Sequence, residues 1–173
     1  MSIAEILDVR QYLTFKLSEE IFAVDVVQVR EILDYIKVTK IPQTPDYMCG
    51  VINLRGSVVP VIDMRLKFGM TKTEETVSTC IIVVEVKLDD DTLILGALVD
   101  SVQEVFELDP NDIEPAPKIG ASFKAEFIKG MGKREDQFLI ILDIDKVFTS
   151  QDILMVQNNG LHPEDEVVLH ERV

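Results

Sequence analysis

Two histidines, His162 and His170, stand eight positions apart near the C-terminal end of a 173-residue chain. A helical metal pair needs a spacing of about four and further ligands close by. Neither cysteine is near them, so they read as solvated side chains. Asp89, Asp90 and Asp91 could hold a cation, but a calcium loop spaces its oxygen ligands around a glycine and closes on a glutamate. A solvated hairpin turn fits the triplet better. The stretch GMGKREDQ (Gly130 to Gln137) offers two glycines and two bases. The residues after it are β-type, not a helix whose N-terminus could cradle a phosphate. Asp63 and Asp143 each end an apolar run before a short helical stretch, where a carboxylate caps free backbone N–H groups more simply than it catalyses. Cys49 and Cys80 sit in apolar runs without CxxC spacing and read as small, buried, reduced thiols. No GxxxxGK[ST], GxGxxG or GxSxG stretch occurs. Nothing converges as an enzyme's nucleophile, base and oxyanion donors would, so no catalytic residue, metal or cofactor is expected.

One charge is left over. Arg55 lies between two apolar runs in GVINLRGSVVPVIDM (Gly50 to Met64), next to Gly56. A guanidinium at such a strand-to-strand turn can grip a carboxylate with both donors, which lysine does less well. On the residues alone it is either a solvated turn residue or the rim of an apolar contact groove that Val29 could help to line.

The elements that must position it are short strands. Gln11 to Leu17 alternates polar and apolar residues, and Ile21 to Leu33 is rich in valine and isoleucine. Ile41 to Gly50 carries two prolines and reads as a loop. The apolar run Thr79 to Leu88 and the segment from Thr92 onward give further strands, and Ser150 to Asn159 suggests a C-terminal helix. An internal repeat organises them. VREI (Val29 to Ile32) recurs as VQEV (Val102 to Val105), 73 residues on. Gly50 recurs as Gly130, and PVIDM (Pro60 to Met64) as IILDI (Ile140 to Ile144), 80 residues on. Each half reads as about five strands, a proline-containing loop and a short helical turn. Closing such strands into a small barrel removes exposed edges. The expectation is therefore an all-β fold: two five-stranded barrels in one domain over 10–157, split near 20–78 and 79–145, with a polar tail over 158–173.

Composition narrows the partners. Hydrophobic residues make up 47% of the chain, enough for a substantial core. Thirty-one acidic side chains against seventeen basic ones give a net charge of −14. Such a chain lacks the basic stripe that nucleic acid or an anionic membrane surface requires. The N-terminus carries acids where a signal peptide needs bases, and no apolar run approaches membrane-spanning length, so a cytoplasmic location is expected.

In order along the chain stand QYLTFKLSEEIFAVDVVQVREI, IPQTPDYMCGVINLRGSVVPVIDMRLKF, GALVDSVQEVFEL, DIEPAP and FIKGMGKREDQFLIILDIDKVF. This order closely resembles the CheW family of bacterial chemotaxis coupling proteins over roughly Arg10 to Asp152. The G-V-x-N-L-R-G-x-x-V-P-V-x-D block is its most specific part. The resemblance implies SH3-like barrels. It also implies an adaptor joining the cytoplasmic tips of methyl-accepting chemotaxis receptors to the regulatory domain of the histidine kinase CheA, in arrays at the inner face of the membrane. By motif match, Val29, Glu31, Gly50, Asn53, Arg55 and Gly56 are the candidate receptor-side residues. Thr79, Cys80, Ile81, Ile82, Gly96, Val102 and Val105 are the candidate kinase-side residues. The alternative is a CheW-like regulatory or scaffold module of a related two-component system; a small β-barrel enzyme or ligand carrier would need a nucleophile or histidine in its core.

Overall fold

The computed structural model describes residues 9–88, 91–115 and 125–148. The expected C-terminal helix and tail, and most of the Asp89 to Asp91 turn, lie outside them. Among the described residues, eleven strands form two sheets, with two short α-helices. They are β1 (Arg10–Leu17), β2 (Glu20–Asp25), β3 (Val29–Asp34), β4 (Met48–Leu54), β5 (Ser57–Asp63), α1 (Met64–Lys67), β6 (Cys80–Leu88), β7 (Asp91–Val99), β8 (Ser101–Leu108), β9 (Ile113–Glu114), β10 (Ile128–Arg134), β11 (Gln137–Leu142) and α2 (Ile144–Val147).

The first sheet runs β3-β6-β7-β5-β4 and the second β8-β1-β2-β11-β10-β9. The repeat is visible strand for strand, because β3, β4 and β5 occupy the places of β8, β10 and β11. Strand membership departs from the 78/79 division expected from the sequence. The β1–β2 hairpin pairs with β8 and β11, while β6–β7 pairs with β3 and β5. Each repeat thus lends its first hairpin to the sheet of the other, and a single 3-10 turn (Val26–Gln28) carries the chain across. One sheet has six strands rather than five, and among the named strands β3 and β4 are the edges of the first sheet and β8 and β9 those of the second.

Side-chain alternation explains why the central strands are apolar on both faces. Along β6, Ile82, Val84 and Val86 enter a large cluster shared with Leu13, Phe15 and Leu17 of β1. The intervening Ile81 and Val83 enter a second cluster with Ile52, Val59, Val61 and Leu98, inside the first sheet. Tyr12 and Ile141 belong to a third, inside the second sheet. A polar clamp joins the sheets at their margin. The Arg65 guanidinium of α1 grips the Asp100 carboxylate from Nε and Nη2, and Asp100 Oδ2 also accepts from Ser18 N at 2.7 Å.

Asp63 caps α1 as expected, with Oδ1 accepting from Arg65 N at 3.0 Å and Leu66 N at 3.4 Å. It also accepts from the Thr73 hydroxyl at 2.7 Å and the Thr73 N–H at 3.0 Å, and is 1% exposed. Asp143 stands at the equivalent place before α2 but makes no side-chain cap bond. Its expected capping role is therefore not made. Asp63→Ala leaves buried donors unpaired and should cost about 2–4 kcal/mol. Asp143→Ala should cost under about 0.5 kcal/mol. Urea denaturation of the two variants measures the difference, and equal losses would contradict this assignment.

Candidate interaction site

The β4–β5 hairpin turns on two residues, Arg55 and Gly56, both in the left-handed region at φ 51° and 88°. That conformation matches the twist of the flanking strands. Glycine adopts it readily, whereas arginine does so uncommonly. Asn53 staples the turn, its Oδ1 accepting from Gly56 N at 2.8 Å. The turn projects Arg55 toward β3, at the far edge of the same sheet. Its Nη1 and Nη2 donate to Glu31 Oε1 and Oε2 at 2.6 and 3.0 Å. Arg55's hydrogen bonds hold the Glu31 carboxyl below its usual range, against a smaller opposing effect of desolvation.

The sheet is curled enough for its two edges to meet at one more point. Past β3, Thr39 and Val51 exchange backbone hydrogen bonds of 2.9 Å in both directions. Gly50 makes this crossing possible. A Cβ there would lie 2.0 Å from the Thr39 carbonyl oxygen, and its φ of 141° is one that L side chains rarely adopt. Leu33, Leu54 and Ile94 pack half-buried against the first sheet's own core. Leu54 immediately precedes Arg55 at the turn and Leu33 stands two places beyond Glu31 on β3, so two of the three flank the Arg55–Glu31 fork along the chain. Ile32 and Ile36 add exposed apolar side chains nearby in sequence, at 44% and 41%.

Of the receptor-side candidates, the structure joins Glu31, Asn53, Arg55 and Gly56 at one turn. Gly50 serves the backbone crossing. A bulge between Val29 and Glu31 sends Val29 to the cluster shared by the two sheets. The kinase-side candidates do not form one surface. Thr79, Ile81, Ile82 and Gly96 are buried, and a Cβ on Gly96 would meet Ile81 at 2.9 Å. Ile81 and Ile82 belong to the two core clusters, and the Thr79 hydroxyl accepts from Thr76 N and donates to the Glu74 carbonyl. Cys80 and Val102 are partly buried against the shared cluster, and only Val105, 51% exposed, is mainly at the surface.

Both thiols are half-buried rather than fully buried. Cys49 borders a cavity of about 670 Å³ with Tyr35, Val38, Met48 and Lys72. Burial, aided by the charge of Asp63, pushes its thiol up to about 11, which makes it a poor nucleophile. Among the described residues no three His, Cys, Asp or Glu side chains converge as a metal site, and no helix is long and apolar enough to cross a membrane.

The sequence reveals no counterpart of Arg55 in the second half, but the ion pair has one. Arg134 Nη1 donates to Glu104 Oε1 at 2.9 Å. Glu104 lies 73 residues beyond Glu31, whereas Arg134 lies 80 beyond Leu54, one place before the turn. The turn position itself holds Glu135, at φ 55°. Pairing the charges across both repeat offsets, rather than seeking an arginine at the turn, would have exposed it.

The CheW-like domain model matches residues 11–152. The chain is 36% identical over 149 residues to the chemotaxis protein CheW of Klebsiella aerogenes, covering 86% of this chain and 87% of that one. It is 35% identical over 143 residues to the chemotaxis protein CheW of Rhizobium meliloti, covering 83% and 90%. Among solved structures, the scaffolding protein TtCheW of Thermoanaerobacter tengcongensis superposes with a TM-score of 0.73 at 35% identity, over 83% of this chain and 90% of that one.

Proposed function

The chain belongs to the CheW-like family, and from that premise we propose that it is a non-enzymatic adaptor coupling chemoreceptors to the histidine kinase CheA. The observation that carries this reading is the two-point Arg55–Glu31 fork spanning the edges of the first sheet, with the half-buried Leu33 and Leu54 beside it along the chain. An amphipathic helix laid into an apolar groove is a recurring recognition mode. The apolar surface supplies affinity and the guanidinium fixes orientation. The receptor's cytoplasmic coiled-coil tip is the helical partner of this reading, which places the protein in arrays at the inner face of the membrane.

The kinase contact belongs on a different face. Val105, on the edge strand of the second sheet, is the exposed candidate for the CheA regulatory domain. Val105→Glu should weaken binding of that domain at least about tenfold by placing a charge in an apolar contact, and leave receptor binding unchanged. Calorimetric titration with each partner separately tests the division. Loss of both affinities, or of neither, would remove Val105 from the kinase face.

A further inference from the structure

We infer that Arg134 plugs a second copy of the helix groove, and so limits the chain to one helical partner. The inference rests on the groove reading above. The repeat places Phe106 where the first sheet has Leu33, Glu104 where it has Glu31, and Arg134 where it has Leu54. In the first sheet the two leucines are half-buried and uncharged, and it is the turn residue Arg55 that reaches Glu31. In the second sheet the cation comes from the strand itself. The Arg134 guanidinium lies over the Phe106 ring, 4.4 Å from its centroid, and holds Glu104 at the same time. The aromatic face that would receive an apolar helix residue is thus already occupied by a cation. The space that remains, about 440 Å³, has Ile21, Phe106 and Leu139 as its apolar lining among ten residues, and the other seven are polar or charged, a poor match for an apolar helix face while Arg134 covers Phe106.

Two substitutions convert the second site to the pattern of the first. Arg134→Leu uncovers Phe106, and Glu135→Arg supplies from the turn a guanidinium for Glu104. Titration of a soluble coiled-coil fragment of a chemoreceptor tip should give one site per parent chain and two per R134L/E135R chain. The second affinity should lie within about tenfold of the first. Adding the same pair to Arg55→Glu should restore one site of near-parental affinity to a chain whose own site is weakened at least about 30-fold. Arg134→Ala, which removes the plug with less disturbance of the hairpin, should show a weaker gain, and circular dichroism establishes that each variant is folded. A folded double variant that still binds one fragment, or a parent that already binds two, would overturn the plug. A parent that binds none would overturn the groove reading itself.

Discussion

Arg55→Glu is expected to weaken binding of a receptor cytoplasmic fragment at least about 30-fold, the loss typical of an orienting arginine in an interface. It should leave the fold intact. The parent residue holds an uncommon left-handed backbone conformation, but a glutamate is already accommodated at the equivalent turn of the second sheet, Glu135 at φ 55° against 51° for Arg55. The side chain itself is 75% exposed, so its loss removes little packing. What changes is the end of the groove. The fork that held Glu31 is replaced by a second carboxylate, and two like charges face the incoming helix where a cation stood. Arg55→Lys should fall between, since an ammonium keeps the charge and loses the two-point grip. Calorimetry with the receptor fragment, alongside a thermal melt, separates the outcomes. A folded Arg55→Glu variant binding with parental affinity would remove Arg55 from the receptor face.

Among the described glycines, Gly50→Ala should be the most damaging added methyl group, costing about 3–5 kcal/mol in urea denaturation. The added Cβ would sit 2.0 Å from the Thr39 carbonyl oxygen and 2.7 Å from its carbon, both backbone atoms that cannot rotate away. The Thr39–Val51 crossing would have to open, separating the edges of the first sheet where the Arg55–Glu31 fork also spans them. Gly130, its counterpart, is crowded less severely, with the Ile113 side chain at 2.6 Å and the Glu114 carbonyl at 2.9 Å. Gly130→Ala should accordingly cost less. Gly50→Ala would then impair receptor binding through the fold. If instead it melts like the parent and still loses the receptor, Gly50 is a contact residue and the crossing matters little.

The all-β character, the repeat and the turn at Arg55 are legible in the sequence because each comes from alternation, offset or glycine placement over a few residues. Sheet membership is not. Both repeats present the same strand pattern, so β1–β2 and β6–β7 satisfy either sheet, and only packing of their two apolar faces decides between them. The burial of Thr79, Ile81, Ile82 and Gly96 is likewise set by packing. A continuous β-branched run says that a strand is central, but not which of its residues the two neighbouring clusters cover. Glu31 and Arg55 are each readable as site residues, but the curl that brings opposite sheet edges together depends on the Thr39–Val51 crossing, far apart from both in the alternation pattern. Asp63 and Asp143 share a sequence context, yet among the described residues Asp63 gains two bonds from Thr73 in the following loop while Asp143 makes no side-chain cap bond.

Coupling is the central claim, and a three-component sedimentation assay tests it most directly. Vesicles carrying a clustered receptor cytoplasmic fragment are mixed with the isolated CheA regulatory domain, with and without this protein. The adaptor reading predicts that the kinase domain pellets with the vesicles in proportion to the protein added, and that Arg55→Glu or Val105→Glu each leaves it in the supernatant. A kinase domain that stays in the supernatant although the parent protein itself pellets with the receptor would contradict coupling.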